Sequence, residues 1–223
     1  MLFVSAFDVI PEPTRSIIMV LNIVLAIGCL LLGFSAILFL KKSESAVNKN
    51  FYVGLSIVFI LVGIARVIFI YHDFFATDEY DILLWKIANF VVLIGFTSLS
   101  YIIETHIYKR TKHVFTLIGV VFIALYMIIF DKAIATIILY IGTAALLLLP
   151  LLLYIIIAKN STGELRKKAL VIIGGMVILI VAQGTGLIVT IGLMDKTFSL
   201  IIGPPLALVG FFIVWYGFVT QSR

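Results

Sequence analysis

Leu61 to Phe75, LVGIARVIFIYHDFF, sets a single arginine, Arg66, in an otherwise aliphatic run. A guanidinium surrounded by hydrocarbon must either reach the polar interface or meet an anion. Lys86, in DILLWKIANF, is a second embedded cation, and Asn89 follows it by three residues. Asn22, Gln183 and Thr190 add amide and hydroxyl groups inside other apolar runs. Gln183, Gly186 and Thr190 share one helical face by their spacing. A planar fork, an ammonium and several neutral hydrogen-bonding groups form a set that binds a carboxylate, a phosphate or a lipid headgroup. Arg66, Lys86, Asn89 and Gln183, with Asn22 and Thr190 as companions, are therefore the expected ligand-binding residues.

Catalytic sets are harder to assemble. His72, His106 and His113 fall at the edges of apolar runs and on opposite sides, so no metal site is expected. No phosphate loop or Gly-x-Ser-x-Gly elbow occurs. Glu104 with His106 is the nearest acid/base pair, but Lys109 and Arg110 beside it predict a solvated ion pair instead. The expectation is a protein that is not an enzyme and carries no cofactor.

The elements that must position these groups are membrane helices. Of the 223 residues, 63% are hydrophobic and 12% charged, against roughly 25% charged in soluble domains. A span takes about 20 mainly apolar residues, and seven such runs can be read: 16–40, 51–71, 82–104, 114–130, 133–158, 169–193 and 198–220. They form a single transmembrane domain and leave no room for a soluble catalytic one. The first run follows an acidic segment, MLFVSAFDVIPEPTR, and stops at Lys41-Lys42, which predicts an uncleaved span. With Cys29 as the only cysteine, no intramolecular disulfide can form.

Charge orients the bundle. KKSESAVNKN, THIYKRTKH, KNSTGELRKK and the terminal QSR hold eleven of the sixteen basic residues. Asp8, Glu12, Asp73, Asp78, Glu79, Asp81, Asp131 and Asp195 lie on the other side. Positive loops stay cytoplasmic, so the N-terminus is expected outside and the C-terminus inside, in the plasma membrane. The net charge of +5 then reflects topology and attraction to anionic lipid, with no nucleic-acid partner implied.

Along the third run, Lys86, Asn89, Thr97, Ser100 and Glu104 fall within an arc of about 80° at helical periodicity. Polar groups facing lipid are costly, so this stripe should face the bundle interior. Gly203-Pro204-Pro205 in the seventh run removes two amide donors and should kink that helix, and Pro150 should kink the fifth. Tyr71, Tyr80 and Trp85 fit an outer aromatic belt, and Tyr108, Trp215 and Tyr216 an inner one.

LIGFTSLSY, from Leu93, echoes LVGFFIVWY, from Leu208, in helices that both run inward. This suggests a three-plus-one-plus-three plan with helices 1–3 and 5–7 as parallel repeats. In topology the whole chain resembles the superfamily of microbial rhodopsins, SWEET-type sugar transporters and seven-helix receptors. It is also similar to the seven-helix sensor regions of some microbial histidine kinases. The resemblance implies sensing or transport. Retinal chemistry is not implied, because FSLIIGPPLALVGFFIVWYGFV lacks a lysine, and the Pro-Gln pair of the SWEET repeat is absent.

The resulting expectation is a stand-alone seven-helix sensor or receptor-like protein, all α-helical. It would have an outer-half cationic pocket for a small anion or lipid headgroup, and a basic cytoplasmic face for a protein partner. A small-solute transporter and a membrane scaffold are the alternatives.

Overall fold

In hydrocarbon every backbone N–H and C=O must be paired within its own segment, so long apolar runs become helices. The computed structural model of the protein describes residues 11–43, 46–75, 80–190, 192, 193 and 195–219. They form α1 (Thr14–Lys42), α2 (Ala46–Phe75), α3 (Asp81–Ile102), α4 (Val114–Ile128), α5 (Lys132–Asn160), α6 (Gly163–Thr190) and α7 (Lys196–Val219). A π turn, Ile103–Ile107, extends α3. No strand occurs among the described residues.

Six helices have the length and apolarity of membrane spans, so the chain has the make-up of a multi-pass membrane protein. The seventh is shorter than expected. At 15 residues, α4 is about 22 Å long, against a hydrocarbon core of about 30 Å. Neither proline run ends its helix: α5 continues through Pro150 and α7 through Pro204-Pro205.

Burial is inverted relative to a soluble protein. Leu31, Phe34, Leu117, Ile128 and Phe212 are exposed, while Asn22, Ser56, Asn89, Ser100 and Thr143 are buried. The expected interior stripe of α3 is observed, with Lys86, Asn89, Thr97, Ser100 and Glu104 all buried.

Neighbour contacts order the helices as a ring: α1 packs on α2, α2 on α3, α3 on α5, α5 on α6, α6 on α7 and α7 on α1. The short α4 packs against both α3 and α5. The helix ends gather into an acidic end, with Asp73, Asp81, Asp131 and Asp195, and a basic end, with Lys41, Lys109, Lys159 and Arg166. Close backbone approach is tightest between α6 and α7. A Cβ on Gly175 would stand 2.9 Å from the Val214 amide nitrogen and 3.0 Å from the Gly210 carbonyl oxygen. Gly175 of α6 thus serves close helix packing.

Candidate functional site

At the acidic end the ring encloses a cavity of about 340 Å³, lined by α1, α2, α3, α5, α6 and α7. Four of the six expected binding residues line it: Asn22 from α1, Arg66 from α2, Asn89 from α3 and Gln183 from α6. α6 lies across the ring from α2, so the guanidinium faces the Gln183 to Gly186 stretch.

Arg66 is partly buried, its Nε is closed to solvent, and it meets no hydrogen-bond partner among the described residues. Its guanidinium carbon lies 5.5 Å from the centre of the Phe69 ring. Asp78 and Glu79, in the segment after α2, lie outside the described residues. Asp73, on the same helix, is taken by His72, whose Nδ1 lies 2.6 Å from Oδ1.

Lys86 departs from expectation. It does not line the cavity with Arg66 but turns to α4, donating from Nζ to the Met127 carbonyl at 3.1 Å, with the Phe130 ring centre 4.2 Å away. Matched depth on neighbouring helices did not mean a matched face. The last carbonyls of α4 lack helical donors and carry the negative end of its dipole, which draws the ammonium. Of the expected positive pair only Arg66 lines the cavity, whose lysine is Lys132 from α5.

Glu104 is a second correction. It is 2% exposed and makes no solvated pair with His106, Lys109 or Arg110. Its carboxylate accepts from the Phe115 amide at 3.0 Å, the Thr116 amide at 2.8 Å and the Thr116 hydroxyl at 2.5 Å. These are first-turn donors of α4, whose preceding residue His113 supplies no side-chain cap. The charged ends of the α3 stripe thus hold the two ends of α4, and only Asn89 of that stripe reaches the cavity.

Thr190 closes α6, and its side chain lies outside the described residues. Groups the sequence did not single out as partners complete the wall: Tyr140 and Thr143 from α5, Thr185 from α6 and Ser199 from α7. Tyr140 was readable only once Gly186 was known to face it, since the phenol oxygen occupies the space where a Cβ of residue 186 would stand. Trp85, expected in an interfacial belt, instead lines the cavity, with Lys132 Nζ 5.5 Å from its ring centre. At the mouth, His72 Nε2 lies 2.8 Å from Asp81 Oδ1, close enough for ion pairing though not aligned as a hydrogen bond. Lys132 Nζ sits 3.0 Å from the other Asp81 oxygen, so α2, α3 and α5 are tied together there.

Below the cavity an apolar layer crosses the ring. Phe59 and Phe211 meet edge to face at 5.4 Å, with Leu25, Leu93, Phe96, Leu146 and Leu179 buried at that level. On α3, Leu93 and Phe96 are buried in this layer and Ile94 is only partly buried. No protein-family model, curated protein or solved structure matches the chain.

Proposed function

We propose that the chain is a seven-helix membrane sensor or receptor-like protein whose cavity receives a small anion on Arg66. The observation carrying this reading is a buried Nε without a partner on the wall of a 340 Å³ cavity. Leaving an N–H of a partly buried guanidinium unbonded is costly, and a bound carboxylate or phosphate offsets that cost. The cavity size is at the lower end of ordinary small-molecule sites, about 300–1,000 Å³. The excess of basic residues in the loops at the other end supports an orientation with the cavity mouth outside the cell. The basic end then offers Lys109, Arg110, Arg166 and Lys167, all exposed, to anionic lipid or an acidic cytoplasmic partner.

The Phe59–Phe211 layer favours sensing over transport, because a transported solute would need a polar path through it. Transport remains the second reading on one observation. α1–α3 and α5–α7 have the same sequential neighbour pattern, as parallel repeats would.

Arg66→Gln tests the main reading. Breaking a buried charge pair costs about 2 kcal/mol or more, so the affinity of an anion that stabilises the wild type should fall about 30-fold. Without ligand, the variant should melt no lower than wild type, since a desolvated charge has been removed. A lower melting temperature, with no anion stabilising the wild type, would make Arg66 a structural anchor.

A further inference from the structure

The cavity wall has an unequal supply of hydrogen-bonding groups. Three of its five side-chain hydroxyls, those of the threonines, spend their protons on their own helices, while Tyr140 and Ser199 are not so engaged. Thr143 Oγ1 donates to Leu139 O at 2.8 Å, Thr185 Oγ1 to Ala182 O at 2.8 Å and Thr136 Oγ1 to Lys132 O at 2.6 Å. The two asparagines do likewise: Nδ2 of Asn22 donates to Ile18 O and Nδ2 of Asn89 to Trp85 O, both at 2.9 Å. A hydroxyl that has donated keeps only lone pairs, and an asparagine so engaged keeps its carbonyl oxygen and one N–H. Pro204 adds another acceptor, because it has no N–H to give to the Leu200 carbonyl one turn earlier, and Leu200 lines the cavity. Arg66 on α2 is a strong donor, and the wall at Thr143, Thr185 and Leu200 presents oxygen, beside donors that remain on Tyr140, Gln183 and Ser199.

We propose, building on the anion reading above, that the ligand also carries hydroxyl or ammonium donors on the side remote from its negative group. Polyhydroxy acids, amino acids and phosphates esterified to glycerol or ethanolamine share this chemistry. A plain alkyl carboxylate would satisfy Arg66 but leave the oxygens of Thr143, Thr185 and Leu200 facing hydrocarbon, a desolvation penalty with no return. A site built to bond donors rejects the analogue that lacks them.

The test is thermal unfolding of the full chain in phosphatidylcholine nanodiscs, titrated with hexanoate, gluconate and sorbitol, which share six carbons, and with butyrate and 4-aminobutyrate. In at least one pair the donor-bearing anion should bind ten-fold or more tightly than its plain partner. Sorbitol, which has the donors without the charge, should give no shift. Arg66→Gln should move the shift to about 30-fold higher anion concentration. Thr143→Val with Thr185→Val keeps the shape and removes two acceptors, so it should weaken the donor-bearing anion several-fold and leave the plain one unchanged. Free glycerol 3-phosphate and nanodiscs containing phosphatidylglycerol separate the sources: a shift with the lipid alone assigns the same chemistry to a headgroup. Equal binding of plain and donor-bearing anions overturns this inference and leaves the anion reading intact. Absence of any Arg66-dependent shift overturns both.

Discussion

At the basic end, Phe51, Tyr154 and Phe218 meet ring to ring with centroids 5.0 to 5.9 Å apart, and Tyr52 donates to the Phe218 carbonyl across the bundle. At their acidic ends the same helices α2, α5 and α7 carry Arg66, Tyr140 and Ser199 around open space. The two ends differ in how close the backbones come. Gly175 and Gly210 let α6 and α7 touch in the lower half, whereas higher up the Tyr140 phenol stands against Gly186 and a proline pair enters the wall. A packed lower half gives the upper half a fixed base, so the helices around Arg66 cannot simply collapse onto one another.

The comparison has functional meaning only if the open half faces outside, and that outcome is all or none. In a Cys29→Ala background, Leu193→Cys at the acidic end should react with a membrane-impermeant maleimide on intact cells. Thr162→Cys at the basic end should react only after permeabilisation. Both positions are exposed. The reverse pattern would turn the cavity toward the cytoplasm.

Next in size is the packing of the lower half. Gly175→Leu must push against Val214 N and Gly210 O, backbone atoms that cannot swing away, so it should destabilise by about 3 kcal/mol. Gly174→Leu, whose added Cβ meets nothing within 4 Å, should leave the melting temperature nearly unchanged. Equal effects at the two positions would mean that the α6–α7 contact is not the tight base described here.

The sequence made most of this architecture legible because membrane burial leaves a coarse mark. Long apolar runs located six spans, and the polar arc on α3 marked its interior face. The length of α4 was misread because Ile129 and Phe130 continue the apolar run beyond the last helical turn at Ile128. The site was half legible. Depth along a helix follows from counting residues, which found Arg66, Asn89, Gln183 and Asn22. Azimuth relative to a neighbour does not, which is why Lys86 was paired with the wrong partner. Glu104 was misjudged for a related reason: its basic neighbours in sequence were visible, while the amides of Phe115 and Thr116, brought up by the returning chain, were not.

That misreading yields a test separating α4 from the ring. Glu104→Ala removes the acceptor for three first-turn donors and Lys86→Met removes the cation at the other end of α4. Each should destabilise by about 2 kcal/mol. Neither residue lines the cavity, so affinity for any anion that stabilises the wild type should stay within about twofold, a change worth ~0.4 kcal/mol. Loss of binding in Lys86→Met with stability preserved would restore the second cation to the site.

The smallest effect is expected at the mouth, where the contrast between deep and shallow charge can be measured. Lys132 and Asp81 pair at 3.0 Å with side chains 49% and 40% exposed, so the pair contributes about 0.2–1 kcal/mol and is screened by salt. Lys132→Met removes a cation that an incoming anion passes, leaving Asp81 to repel it, and should weaken binding about threefold in dilute buffer. The Debye length falls from about 30 Å at 0.01 M to about 3 Å at 1 M, so this loss should vanish in concentrated salt. The Arg66→Gln loss should persist there, because a buried contact is little screened. If Lys132→Met instead costs as much as Arg66→Gln, and salt does not erase it, the anion sits at the Trp85–Lys132 mouth and the deeper cavity is not its site.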